Sequence, residues 1–353
     1  MQIEPLACWL ALKKIEGVGN LGFKTLVESF GSPAEVFAAS YETLKCIPGV
    51  GEKTARQILS FRDWDACEAE LRRVREQTIS LVTFQDPNYP RRLLNIYDFP
   101  PLLYVKGVLS NDDIPVAVVG SRQASPYGKF TTERLCRELA LRGITIVSGM
   151  ARGIDSSAHT GALAARGRTL AVLGSGLDVI YPPENETLYR KIAAQGAVIS
   201  EFPLGTPPHA THFPARNRII SGLSLGVVVV EAGIKSGSLI TARIALEQGR
   251  EVFAVPGAID SSGSRGTHRL LKEGAKLVEG VDDILDEILP QIHGLDVDPR
   301  ASHPSIPPSG GQAFKNGGRR PIPDLSETEG LIISVLSHDP VEVNAIVRLT
   351  GLP

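Results

Sequence analysis

At 353 residues and 42% hydrophobic content, the chain is long enough for two or three domains and can bury at least one large core. Its 37 basic and 39 acidic residues nearly cancel, which excludes a polycationic body, so any affinity for nucleic acid has to come from a local patch. No run approaches the roughly 20 apolar residues of a membrane helix, and the opening MQIEPLACWLALKKIEG lacks a basic leader and a small-residue cleavage site. A cytoplasmic protein without a membrane segment is expected. Cys8, Cys46, Cys67 and Cys136 form no CxxC pair and have no histidine at zinc spacing, so they read as reduced, mostly buried thiols, with no metal.

Residues 1–80 read as helical and carry an internal repeat. Ile15-Glu16-Gly17-Val18-Gly19 recurs 32 positions later as Ile47-Pro48-Gly49-Val50-Gly51. Helical spacing follows each copy, over Leu21 to Phe30 and over Glu52 to Arg62. This is the helix-hairpin-helix (SAM-like) pattern. Its backbone N–H groups can meet a DNA phosphate without reading sequence, or the hairpins can pack against a neighbouring domain, and both uses stay open.

A connector with a strand-like Ile79 to Phe84 leads through the proline-rich DPNYPRRLL and DFPPLLYVKG. Short aliphatic runs then alternate with amphipathic helices: Val116 to Val119, Ile144 to Val147, Thr169 to Leu173, Ala197 to Ile199, Val227 to Val230, Val252 to Val255 and Ala275 to Val278. Runs of Val and Ile without polar alternation imply strands buried on both faces. Residues 81–290 are therefore expected to form an α/β, Rossmann-like domain with a mainly parallel sheet. Residues 291–324, rich in Pro, Gly and Ser, read as a flexible linker. Residues 325–353 read as two short helices of a truncated terminal domain.

In such a sheet, ligands collect where strands end and helix N-termini present free N–H groups. The first turn, Gly120-Ser121-Arg122, offers close approach, a hydroxyl donor and a forked charge, with Ser125 and Pro126 placed to start a helix. It is not GxGxxG, which weakens a dinucleotide reading. In the second turn Ser148 and Gly149 are expected to line the same groove and Arg152 to add charge. Asp155 reads as a helix cap within hydrogen-bonding reach of His159, and no nucleophile or metal accompanies them. Further on, Arg216 and Arg218 flank Asn217, and Phe213 offers a face for a base; the alternative is that Phe213 is a hydrophobic staple and an arginine pairs with an acid such as Glu231. The fourth turn sets Lys235 beside Ser236-Gly237-Ser238 at a helix start, another anion seat. Consecutive turns of this kind point to an extended polyanion, with no cofactor required.

The blocks VAVVGSRQASPYG, SGMARGIDSSAH, AVLGSGLDVIYPPEN, FPARNRIISGLS and EAGIKSGSLITA closely resemble the DprA (DNA-processing protein A, or Smf) family, over nearly the whole chain. The resemblance implies a non-enzymatic protein that binds single-stranded DNA during natural transformation and helps load the RecA recombinase onto it. It also implies a homodimer formed through the Rossmann domain, and a winged helix of which residues 325–353 resemble the first half. Carried over by motif, the DNA-contacting positions are Arg122, the Ser148 to Arg152 turn, Phe213, Arg216, Asn217, Arg218 and the Ser236 to Ser238 turn. Some relatives carry a lysine a few residues before the phenylalanine. Here the segment reads His209-Ala210-Thr211-His212, which makes the charge of that edge depend on pH.

A competing reading is a nucleotide phosphoribohydrolase on the same Rossmann variant, whose PGGxGTxxE signature needs a catalytic glutamate. In this chain Ile240 and Thr241 stand near where that acid would fall.

Overall fold

The computed structural model describes residues 4–292, which belong to one compact unit. The terminal-domain segment and the linker lie outside those residues, except that 291–292 close a helix.

Six helices come first: α1 (Pro5–Lys14), α2 (Asn20–Phe30), α3 (Pro33–Ala38), α4 (Tyr41–Lys45), α5 (Glu52–Leu59) and α6 (Trp64–Glu76). The repeated turns precede α2 and α5. Gly17 and Gly49 adopt φ of +88° and +84°, a conformation that side chains with a Cβ resist, and Gly19 and Gly51 cap the two helices. The helix after the second copy ends at Leu59, short of Arg62, where the chain turns to pack Phe61 edge-on against Trp64 and tilted against Phe37. Trp9, Leu12, Phe23, Leu26, Leu44 and Ile58 form this segment's own core.

The rest is one nine-stranded sheet. Its strands are β1 (Ser80–Thr83), β2 (Leu102–Gly107), β3 (Ile114–Val119), β4 (Ile144–Ser148), β5 (Thr169–Val172), β6 (Ala197–Ser200), β7 (Gly226–Val229), β8 (Glu251–Ala254) and β9 (Lys276–Leu277). The connecting helices are α7 (Pro126–Leu141), α8 (Ile154–Ala164), α9 (Glu186–Gln195), α10 (His212–Leu223), α11 (Gly237–Glu247), α12 (Arg265–Lys272) and α13 (Asp282–Ile292). The sheet order is β1-β2-β6-β5-β4-β3-β7-β8-β9, with β3 to β9 mutually parallel and β2 pairing antiparallel with both β6 and β1. The seven aliphatic runs are β3 to β9, each bounded within two residues of expectation.

Alternation along β3 shows why both faces need cover: Val116 and Val118 pack with α7 and α8, whereas Ala117 and Val119 pack with α10 and α11. The helical segment closes one end, where α1 and α6 cover Leu102, Tyr104 and Val198. Lys13 Nζ donates to the Glu201 carbonyl at 2.6 Å, and Tyr104 bonds to Glu70. Cys8, Cys67 and Cys136 are buried free thiols with raised pKa values, mainly from burial, and Cys46 is an exposed thiol. Among the described residues no helix is long and apolar enough to cross a membrane.

Candidate nucleic-acid interface

Strand order reverses at β3, which lies between β4 and β7, and α7 and α11 leave β3 and β7 for opposite faces. A crevice at the carboxyl ends of the strands follows from that divergence. It is a cleft of about 680 Å³. Its walls bring together Gly120, Ser121 and Arg122 after β3, Phe213, Arg216 and Asn217 on α10, and Lys235, Ser236, Gly237 and Ser238 before and in α11.

The first turn is held tightly. Ser121 N–H donates to the Glu231 carbonyl at 2.7 Å, and Ile154 N–H donates to the Ser121 carbonyl at 3.1 Å. A Cβ on Gly120 would stand 2.6 Å from Ile154 Cγ1 and 2.8 Å from the Glu231 carbonyl, so glycine is required where three segments meet. Ser125 accepts the Gly128 N–H at 3.0 Å and caps α7, with Pro126 next, as the sequence suggested. Arg122 is exposed, and its guanidinium carbon lies 4.9 Å from the centre of the Phe213 ring. That cation–π contact separates the main cleft from a smaller cavity that adds Gly149, Arg152, Ser175 and Tyr181 to the shared walls.

The second turn is strapped by buried charge. The Asp155 carboxylate accepts the N–H groups of Gly149 (3.2 Å) and Ala151 (3.3 Å), while Arg216 Nη1 donates to the Gly149 carbonyl at 2.8 Å and to that of Val172. Burial raises the Asp155 pKa, opposed by the nearby Arg216 charge. Burial likewise pushes Arg216 down to about 10, opposed by Asp155. Arg216 is 4% exposed, yet it lines both cavities and its Nε has no hydrogen-bond partner. The N–H of Gly149 is thus already engaged.

Several expected roles change in this setting. Ser148 does not line the cleft: it is fully buried, and its hydroxyl donates to the Val118 carbonyl at 2.6 Å. Asp155 does not bond to His159; it ties the turn, Gly153 stands at the N-cap of α8, and His159 Nδ1 lies 2.6 Å from Thr169 Oγ1. Arg152 reaches the smaller cavity, but Glu184 holds it, with Nη2 at 3.1 Å from Oε2. Arg218 is turned away from the cleft: it pairs with Glu201 and, at 3.1 Å, with Asp98. It is this arginine that pairs with acids, and Glu231 is not one of them. His212 stacks on Phe202 with ring centres 4.3 Å apart, and His209 Nδ1 is 2.9 Å from Thr211 Oγ1.

The fourth turn opens α11, the helix start read from the sequence. The Ser236 side chain caps α11 and lies 2.8 Å from Ser238 Oγ, Gly237 has open space around it, and Lys235 is exposed. Ile240 and Thr241, where a phosphoribohydrolase would carry its acid, line the cleft one turn further on. Sequence reasoning missed Tyr181, whose ring centre is 6.0 Å from that of Phe213. An aromatic following β5 and preceding Pro182 was the available signal.

The model for DNA recombination-mediator protein A matches residues 80–289 of this chain. The chain belongs to this family. A model for the SAM-like helix-hairpin-helix tandem also matches residues 10–62. Protein Smf of Synechocystis is 36% identical over 98% of this chain and 91% of its own. The X-ray structure of DNA processing protein A from Streptococcus pneumoniae is 37% identical, covers 82% of this chain and 99% of its own, and superposes with a TM-score of 0.69. DNA processing protein A from Helicobacter pylori, described for its single-stranded DNA binding mode, is 33% identical, covers 60% of this chain and 96% of its own, and superposes with a TM-score of 0.54.

Proposed function

We propose that this member of the family binds single-stranded DNA in the cleft at the β3–β7 switch point and acts there by binding, without catalysis. The observation that carries the reading is the pairing of Arg122 with Phe213 at the boundary of two cavities. A guanidinium lying over an aromatic ring suits a chain whose phosphates and unstacked bases alternate: Arg122 swings out to a phosphate and yields the Phe213 face to a base, and base–aromatic stacking contributes about 1–3 kcal/mol per base. Arg122 and Lys235 supply phosphate contacts, aided by Ser121, Asn217 and the open start of α11. Arg216 serves from behind through its unpartnered Nε. Arg152 becomes available to the strand only by exchanging Glu184 for phosphate. Catalysis finds little support: Asp155, a carboxylate on the cleft wall, is occupied with two backbone N–H groups.

The relative from Helicobacter pylori supports the choice of ligand, and the family's description as a recombination mediator supports a role in passing the strand to the RecA recombinase. We place this work in DNA processing during natural transformation, in the cytoplasm, with the protein acting as a homodimer through its Rossmann-like domain.

Fluorescence anisotropy of the full chain with labelled oligo(dT) and a matched duplex tests the reading. The expected result is salt-sensitive binding that prefers the single strand, weakened by at least about tenfold, or ~1.4 kcal/mol, in Arg122→Ala. A folded Arg122→Ala protein that binds as well as the natural one would sink the assignment.

A further inference from the structure

We propose that Glu231 is an internal anion seated where a phosphate would otherwise bind at the head of α7, and that it thereby sets the ligand class of the cleft. The cleft would take a nucleic-acid strand laid along its rim, and would reject a free phosphate or mononucleotide on the α7 side of the switch point. The inference rests on the single-stranded DNA reading and deepens it.

The geometry is that of a filled seat. Glu231 lies two residues past the end of β7, and its side chain reaches the first turn of α7. Both carboxylate oxygens accept the Ser125 N–H, at 3.2 and 3.1 Å, and Oε2 also accepts the Ser125 hydroxyl at 2.6 Å. Ser125 Oγ in turn accepts the Gly128 N–H. A Cβ on Gly128 would stand 2.2 Å from Oε2, and one on Gly263 would stand 2.7 Å from Oε1. Two glycines therefore make room for this carboxylate, which is 8% exposed. Among the described residues no lysine, arginine or histidine forms an ion pair with it. The donors that meet its charge are an N–H and a hydroxyl at a helix start after the first strand of a Rossmann sheet, the group that receives phosphate in nucleotide-binding relatives of this architecture.

The facing seat at α11 is built differently. Gly237 has nothing within 4 Å of where a Cβ would be, Ser236 and Ser238 bond to each other, and exposed Lys235 adds positive charge. One seat of the switch point is filled by the protein's own carboxylate, and the other is open. A mononucleotide phosphate entering on the α7 side would have to displace Glu231 or face its charge, whereas a strand can pass over that side using Arg122 and place its phosphates at α11.

The test is an amide NMR titration of the full-length natural protein with inorganic phosphate and then with dTMP. The Gly237 and Ser238 signals should move, and those of Ser125 and Gly128 should not. Movement of Ser125 and Gly128, or none at Gly237 and Ser238, overturns the proposal. In a second arm, Glu231→Ala should bind inorganic phosphate at least about tenfold more tightly than the natural protein and shift the Ser125 and Gly128 signals. Glu231→Gln keeps the seat filled but removes the charge, and its phosphate affinity should lie between those of the natural protein and the alanine variant. A folded alanine variant without that gain also overturns the proposal, and if that variant does not fold, the natural protein's titration decides. Oligo(dT) binding by the natural protein is read separately: its loss removes the single-strand reading, whatever the phosphate titrations show.

Discussion

His159 shows how one hydrogen atom can be placed from heavy atoms alone. Thr169 donates its hydroxyl to the Ile146 carbonyl at 2.8 Å, which leaves its oxygen to accept a hydrogen bond from His159 Nδ1 at 2.6 Å. Nε2 is buried without a partner, and burial pushes the pKa down to about 3. The folded value lies below the unfolded one, so the unfolded chain takes the proton first and stability falls as pH drops from about 6.5 toward 3. Urea denaturation between about pH 6 and pH 4.5 should show the natural protein losing ~1.4 kcal/mol per pH unit more than His159→Gln. The sequence suggested an Asp155–His159 pair because i and i+4 share a helix face, but it could not reveal Thr169 arriving from β5. The same limit separates the arginines of α10. Arg216 and Arg218 look alike in sequence, yet residues two apart point to opposite sides of a helix, one toward the cleft and the other toward Glu201 and Asp98. Arg122 and Phe213 were legible because a strand-end arginine and an aromatic at a helix start have few apolar partners to claim them.

At the scale of elements, the parallel strands could be read from the sequence because burial on both faces writes itself as unbroken Val and Ile. β2 could not. It begins directly after Pro100-Pro101, and Leu102 to Val105, all buried, look like the end of a proline-rich loop. Its antiparallel pairing with β6 depends on a return path that periodicity does not encode. The strand ends at Gly107, where φ is +106° and a Cβ would stand 2.3 Å from the Gly196 carbonyl. Gly107→Ala should therefore destabilise the fold by about 2–4 kcal/mol through backbone strain and that clash, read as a lower denaturation midpoint at unchanged slope. Ser148 belongs to the same lesson. As the last residue of β4 it sits where the sequence suggested, but its hydroxyl serves the neighbouring strand.

Over the whole molecule, a net charge of −2 hides a division of labour. The cations near the hairpins are matched by acids: Lys24 with Glu28, Lys45 and Arg56 with Glu52, and Lys53 with Glu16. Among the described residues Arg122 and Lys235 enter no ion pair. With Arg216 as a third contributor, the logarithm of oligo(dT) affinity should fall against the logarithm of salt concentration with a slope of about −2, because each neutralised phosphate contributes ~0.7. Lys235→Ala should flatten the slope by about 0.7, while Lys53→Ala leaves it unchanged; anisotropy titrations across a salt series check both. The amino-terminal helices still matter to the cleft in another way. Lys13 holds the Glu201 main chain, Glu201 holds Arg218, and Arg218 belongs to the helix that presents Phe213 and Arg216. The helical segment is thus a buttress and not a detachable cassette. An engineer who grafts a different amino-terminal module onto this sheet would have to supply a cation where Lys13 stands, or accept a binding helix that has lost its brace.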